Sequence, residues 1–354
     1  MSKRWIVLSR EFLAIVLSCA VLIVTYLTAQ QSQLGQITPV IQIGKSINAV
    51  SISYEQLAKL LYQAPIDATF GRYTKVIPAL NGVSLNVSQT IANQTGNPAT
   101  TKLYFSQIPP RIPTSAFTGR PFLQGNAAKH QVALMINVAW GEQYIQKILS
   151  ILTKNHVQAT FFLDGKWAQN HPQWVIAINK AGMEIGSHAY GHPAMTRLSR
   201  QQKIETLTKT NQIIEKIIAK PITLFAPPSG DYDQQTVDIA AGLGMKTILW
   251  SVDTIDWRLP TPQKIIERVN RKIAPGSLVL MHPTQPTLLA LPSILRELKA
   301  RDLLPVTVSK ILSPIRPVIS TLQEALIRTA NPRMIIRRSM TCKDIPCLGL
   351  SIRR

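Results

Sequence analysis

Carboxylates are scarce in this chain. Eighteen Asp and Glu stand against 39 Lys and Arg among 354 residues, a formal net charge of +21. That balance favours anionic partners, such as a membrane surface or an acidic cell-wall polymer. The basic residues are scattered rather than blocked and no nucleic-acid-binding motif is present, so nucleic acid is not expected as a partner. Cysteine is scarcer still, at three. Cys342 and Cys347 are too few for a thiolate zinc site. Outside a membrane they would form a local disulfide; otherwise they are a free pair in a tail. Cys19 lies within an apolar run, but Leu17 stands where a lipoprotein signal needs a small residue. What is plentiful is apolar: 45% of residues are hydrophobic, enough for a real core, and the length suggests about two domains.

The apolar run from Phe12 to Ala29 carries no charge and follows Lys3, Arg4 and Arg10. Its length is close to the ~20 residues that span a bilayer. The flanking charge puts the N-terminus in the cytoplasm and the rest outside. A cleaved signal peptide would want a small residue where Leu27 stands, so residues 1–30 are predicted to be an uncleaved membrane anchor. Residues 31–121 read as a membrane-proximal α+β module. Ser53 and Gln56 have capping-box spacing before a helix, and Asn81-Gly82 is a hairpin signal between 77–80 and 83–87. This module has no clustered histidine, cysteine or carboxylate and is assigned no chemistry. The prolines between 108 and 121 mark a linker.

Residues 122–312 change character. Apolar runs at 132–138, 159–163, 183–187, 223–225, 247–252, 278–280 and 303–308 alternate with segments of helical spacing at 143–154, 167–180, 199–219, 234–243, 262–272 and 288–300. Continuous apolar runs are the mark of parallel strands buried on both faces. The alternation predicts an α/β domain with a parallel sheet and outer helices, open or closed into a barrel. Polar residues gather where these runs end: Asn137, Asp164, His188 and His192, then Pro227-Pro228-Ser229-Gly230, Asp253 and Asp256, and His282. In α/β barrels that rim carries the active site. His188 and His192, four residues apart, can face one divalent metal from a single turn. Residues 313–354 are basic and read as a partly disordered tail, for which contact with anionic wall polymers is a second reading.

In their order, these motifs resemble the polysaccharide deacetylase family, the NodB-homology domain. Val132 to Val138 sits where the family has a strand ending in two aspartates. His188-Ala189-Tyr190-Gly191-His192-Pro193 matches its metal-binding histidine motif, and Ala226-Pro227-Pro228-Ser229-Gly230 its arginine-proline loop without the arginine. Asp253-Thr254-Ile255-Asp256-Trp257 and Leu280-Met281-His282 match the last two motifs in full. The apolar anchor, the intermediate module and the stretch from Met135 to Gly141 further resemble the YlxY-like sporulation branch.

The resemblance implies a distorted (β/α)7 TIM-like barrel that removes acetyl groups from amino-sugar polymers such as peptidoglycan. It implies a divalent metal, usually zinc, at His188 and His192, His282 as general acid and Asp256 as the carboxylate behind it. Trp257 and Leu280 would wall the acetyl pocket, with Pro228 and Asp253 among the substrate-binding positions. The departures fall together. The base position is Asn137, and an amide accepts no proton at neutral pH. The third metal-ligand position is Val138, and the arginine position is Ala226. Two readings stay open: an amide hydrolase whose missing carboxylate is replaced by Asp164 or Glu142, or a pseudoenzyme that binds glycan or scaffolds wall machinery. The alternatives for those two carboxylates are a helix cap at Asp164 and a solvated first-turn residue at Glu142.

Overall fold

A computed structural model describes residues 40–41, 50–51, 53–71, 75–94 and 101–321. The predicted anchor, all three cysteines and the tail beyond Thr321 lie outside them. Among the described residues no helix is long and apolar enough to cross a membrane.

The small module contains helix α1 (Tyr54–Leu61), strands β1 (Thr69–Gly71), β2 (Lys75–Ile77) and β3 (Gly82–Leu85), helix α2 (Val87–Ala92) and strand β4 (Phe105–Ile108). The capping box at Ser53 and Gln56 forms as the sequence predicts, each residue's side chain accepting from the other's backbone N–H. The predicted hairpin at Asn81-Gly82 does not form. β2 pairs with β1, and β3 pairs with β4. Residues 80–83 instead run along residues 63–66, where Gly82 passes so close that a Cβ would sit 2.6 Å from the Gln63 carbonyl oxygen.

The large domain runs β5 (Gln131–Val138), α3 (Glu142–Lys154), β6 (Thr160–Leu163), α4 (Gly165–Asn170), α5 (Pro172–Lys180), β7 (Glu184–Ser187), α6 (Arg200–Ile218), β8 (Leu224–Phe225), α7 (Gln234–Gly242), β9 (Lys246–Thr247), β10 (Val252–Asp253), α8 (Pro262–Lys272), β11 (Leu278–Met281), α9 (Gln285–Ala300), β12 (Leu304–Val306) and α10 (Val308–Leu312). The strands form one parallel sheet in the order β9-β8-β7-β6-β5-β11-β10, with β12 paired to the first half of β5. β5 is central and buried at every position. Its alternate residues serve two cores. Val132, Leu134, Ile136 and Val138 face the helices beside Ile145 and Ile148. Ala133 and Met135 face the curled interior with Phe162, Leu224, Ala226 and Leu278. Each fully buried aliphatic side chain contributes about 1.5–3 kcal/mol, so the curl is held from both faces.

Two expectations are corrected. The helix predicted over 167–180 is two helices, because Pro172 has no N–H to donate and disfavours a helical His171; His171 takes φ −130° and ψ 51°. The single strand predicted over 247–252 is also two. β9 pairs with β8 at one edge of the sheet, while β10 pairs with β11 at the other. Residues 248–251 cross between the edges, with the Leu249 N–H donating to the Phe122 carbonyl and the Ser251 N–H to that of Leu278. The fold is therefore an α/β domain with a curled parallel sheet, a half-barrel whose two edges are joined by this short crossing rather than by a helix.

The first residues of the predicted tail are held against the small module, with some side chains left exposed. Arg316 is buried and donates from Nε to the Asn81 carbonyl at 2.7 Å and from Nη1 to Gln63 Oε1 at 2.8 Å. Ile319 packs against the small module's core, and the Leu103 N–H donates to the Ser320 carbonyl. Residues 313–321 thus strap the small module to the half-barrel.

Candidate active site

Side-chain alternation carries the rim residues inward. Met135 faces the interior on β5, so Asn137 does too. Leu278 faces it on β11, so Leu280 and His282 follow. Met281 lies beside Ile136 in register, which puts His282 next to Asn137. The carbonyl of Ala226 lies 2.7 Å from His188 Nδ1. That ring nitrogen must donate, since a carbonyl only accepts, and Nε2 is left with its lone pair. Burial, reinforced by the neighbouring His192, pushes the His188 pKa down to about 3 against the opposing pull of the Ala226 hydrogen bond, so the ring stays neutral. The His188 and His192 rings meet edge to face, 5.2 Å between centroids.

The turn that presents these histidines is strained. Ala189 and His192 hold φ of 59° and 52°, a region that costs an L residue about 1–2 kcal/mol. Asp164 offsets this strain. Its Oδ2 accepts from the N–H groups of Gly191 at 2.6 Å and His192 at 2.9 Å, and its Oδ1 caps α4 through the Trp167 N–H at 2.8 Å. Both oxygens of this buried carboxylate are occupied by backbone donors. Asp164 is a helix cap and a brace for the histidine turn. Glu142 opens α3, where the helix N-terminus favours a carboxylate.

Asp256 and His282 are brought together. Asp256 is fully buried. The His282 Nδ1–H donates to its Oδ1 at 2.7 Å and the His282 backbone N–H to its Oδ2 at 2.6 Å, joined there by the Thr287 hydroxyl. Trp257 is half-exposed with the Arg258 guanidinium over its ring, 4.7 Å from the centroid. Leu280 is buried on the inner face and Pro228 is buried in a single turn. Asp253 is partly engaged, its Oδ1 accepting from the Ile255 N–H at 2.8 Å.

The base side is different. Asn137 is buried, and its Oδ1 has no hydrogen-bond partner among the described residues. A group left in that state costs about 1–3 kcal/mol. Val138 points the other way, into the helix-facing core. Two imidazoles remain as donors, and among the described residues no group of three or more His, Cys, Asp and Glu side chains is placed to hold a metal ion. A catalytic metal site of this kind needs three protein ligands and an open position. These residues do not fit one.

Sequence reasoning passed over one rim residue. Trp140 stacks on His282, with 5.6 Å between centroids and 18° between planes, and the residue is 44% exposed. Gly141 makes the stack possible: at φ 87° it passes so close to Pro283 that a Cβ would lie 2.1 Å from the Pro283 carbonyl oxygen. The signal was an aromatic-glycine pair at the end of a rim strand.

The polysaccharide deacetylase family model matches residues 124–248. The chain is 40% identical over 254 residues to the YlxY protein of Bacillus subtilis, covering 71% of this chain and 80% of that one. It is 30% identical over 178 residues to a peptidoglycan-N-acetylglucosamine deacetylase of Bacillus cereus, 49% of this chain and 65% of that one. Among solved structures, a CE4 family pseudoenzyme from Bacillus anthracis matches with a TM-score of 0.68 at 36% identity, over 74% of this chain and 94% of that one. A mutant of that pseudoenzyme with restored enzymatic activity matches with the same TM-score at 35% identity, over 74% of this chain and 97% of that one.

Proposed function

We infer that this chain, which belongs to the polysaccharide deacetylase family, binds the amino-sugar polymer of peptidoglycan without hydrolysing its amides. The observation that carries this reading is the pair at the end of β5. Asn137 faces the site with an amide where a base is needed, and Val138 faces away with no donor at all. General base catalysis requires a group that takes a proton near neutral pH, and the amide of Asn137 does not. The similarity to a pseudoenzyme of the same family supports the reading, and the peptidoglycan deacetylases among its relatives supply the substrate class. Replacement of the base by Asp164 is disfavoured because its two oxygens already bind three backbone N–H groups.

The acid half survives because it is structural as well as chemical: Asp256 ties the β11–α9 turn to the loop after β10. His188 and His192 would hold a divalent metal, zinc above all, only weakly, since affinity follows the number of deprotonated ligands. The apolar run at 12–29 would anchor the chain with its half-barrel outside the cell membrane, consistent with a role at the wall and in sporulation. Protease added to intact, wall-stripped cells should then cut the chain, and survival until lysis would overturn that topology. The binding itself is tested by sedimentation. The full chain in detergent should co-sediment with insoluble peptidoglycan, and a chain left wholly in the supernatant would end the glycan-binding account.

A further inference from the structure

The base of the half-barrel holds a cleft that the rim chemistry does not use. Leu224 opens β8 and Lys246 opens β9, paired in register, so both stand at the strand ends away from the histidines. Beside them lies a cavity of about 540 Å³, within the range of roughly 300–1,000 Å³ usual for small-molecule sites. Its other walls come from residues 114–122, from α7 and from residues 309–314. Phe117, Ala241 and Pro314 present accessible apolar surface to it. The wall at 114–120 is fixed in place. Phe117 stacks on Phe70, 6.0 Å between centroids, the Thr118 hydroxyl donates to the Ser115 carbonyl at 2.7 Å, and Gln234 Nε2 donates to the Gly119 carbonyl at 2.9 Å. A wall held in this way loses little conformational freedom when something binds it.

Two exposed cations line this cleft, Arg120 and Lys246. Ile248 faces the curled interior, so Lys246, two residues earlier, faces the same side. The Arg120 guanidinium lies over the Phe70 ring, 5.3 Å from its centroid, with Nη1 3.3 Å from Gln234 Oε1. Among the described residues neither cation forms an ion pair. No carboxylate lines the cavity. Two lie beside it, and both are engaged. Asp238 accepts from Gln234 Nε2 at 2.7 Å, and Glu184 accepts from the Thr160 hydroxyl at 2.7 Å and the Ser309 N–H at 3.1 Å. We propose that the cleft binds an alkyl or aryl phosphate, with the phosphate between Arg120 and Lys246 and the apolar body against Phe117, Ala241 and Pro314. Unpaired cations favour an anion, and a guanidinium matches phosphate geometry. The exposed hydroxyls of Ser115 and Ser309 suit a head with several acceptor oxygens, a phosphate before a carboxylate. The site lies at the opposite end of the strands from the rim, so the proposal does not rest on the glycan-binding reading.

The probe is octyl phosphate, titrated calorimetrically into the full chain in nanodiscs of neutral phosphatidylcholine, with empty nanodiscs as the blank. The unmodified chain should bind it saturably and at least about tenfold more tightly than two controls. Inorganic phosphate lacks the apolar body, and octyltrimethylammonium has the opposite charge. Arg120→Ala with Lys246→Ala should weaken octyl phosphate about tenfold, the combined effect of two exposed charge contacts. Lys154→Ala with Lys272→Ala removes the same charge from exposed helix ends elsewhere and should leave the affinity unchanged. Ala241→Phe should fill the cleft and abolish binding while both cations remain. If that variant fails to fold, the two charge pairs carry the test, since all four of those residues are exposed. Equal binding of octyl phosphate and the ammonium, equal losses in the two charge pairs, or full affinity in the Arg120 and Lys246 pair would overturn the proposal. Absence of saturable binding to the unmodified chain would overturn it too.

Discussion

Returning the two aspartates, Asn137→Asp with Val138→Asp, should produce acetate release from N-acetylglucosamine oligomers where the unmodified chain gives none above background, since a positioned base usually contributes about 10²–10⁴-fold. The first substitution is geometrically simple. Residue 137 already faces the interior beside His282, so a carboxylate there meets both the substrate amide and the acid. The second is costly. Val138 is fully buried in the helix-facing core, and turning an aspartate toward His188 and His192 requires the strand end to rotate. A carboxylate that stays in that core without a partner costs several kcal/mol, so thermal unfolding must be followed alongside activity. Adding Ala226→Arg should hold the new carboxylate ionised, provided its guanidinium escapes a fully buried position to reach the rim. His282→Ala in the same background should remove the gain. That a mutant of a similar CE4 pseudoenzyme has restored activity makes such a repair a realistic target. A folded double variant that gains nothing would mean that pocket shape, and not only the base, has diverged.

Asp256→Ala should be the most destabilising single change at the rim. It leaves the His282 backbone N–H, its ring N–H and the Thr287 hydroxyl without their acceptor in a buried pocket. Removing one partner of a buried charged network costs about 3–5 kcal/mol. For a domain of this size that is on the order of a 10 °C fall in the melting temperature. Asp256→Asn keeps the shape and one acceptor and should lose less. Circular dichroism melts decide the matter: a fall of only about 1–2 °C in the alanine variant would mean that the network carries little of the fold. In a protein that does not turn over, this is where selection on Asp256 would act, since the same carboxylate holds the imidazole that supports Trp140.

The parallel sheet was legible because its strands are buried on both faces and so appear as unbroken apolar runs; Val132 to Val138 is the clearest. The rim was legible because polar residues interrupt those runs at one end. What escaped depends on contacts that have no local pattern. Nothing in residues 247–252 announces that the run leaves one edge of the sheet and joins the other, because the partners that divide it, Phe122 and Leu278, are distant in sequence. The strap at 313–321 looked like solvated tail because it lies past the last strand in a basic stretch, yet Arg316 within it is buried against carbonyls of the small module. Asp164 shows the converse. Its spacing before a helix fits a cap as well as a ligand, and only the fold shows that its oxygens also accept from the Gly191 and His192 N–H groups. Trp140 needed the three-dimensional approach of Gly141 to Pro283 before its position over His282 had any meaning.

The central claim, a family member that keeps the acid half of its site and has lost the base half, is tested most directly by assaying acetate in the unmodified chain. The full chain in detergent is incubated with N-acetylglucosamine oligomers and with peptidoglycan, with added zinc, and free acetate is measured against a His282→Ala control. The account predicts no acetate above the control from either polymer. Sustained release that disappears in His282→Ala would contradict it, and loss of that release in Asp164→Asn would identify Asp164 as the carboxylate that replaced the base.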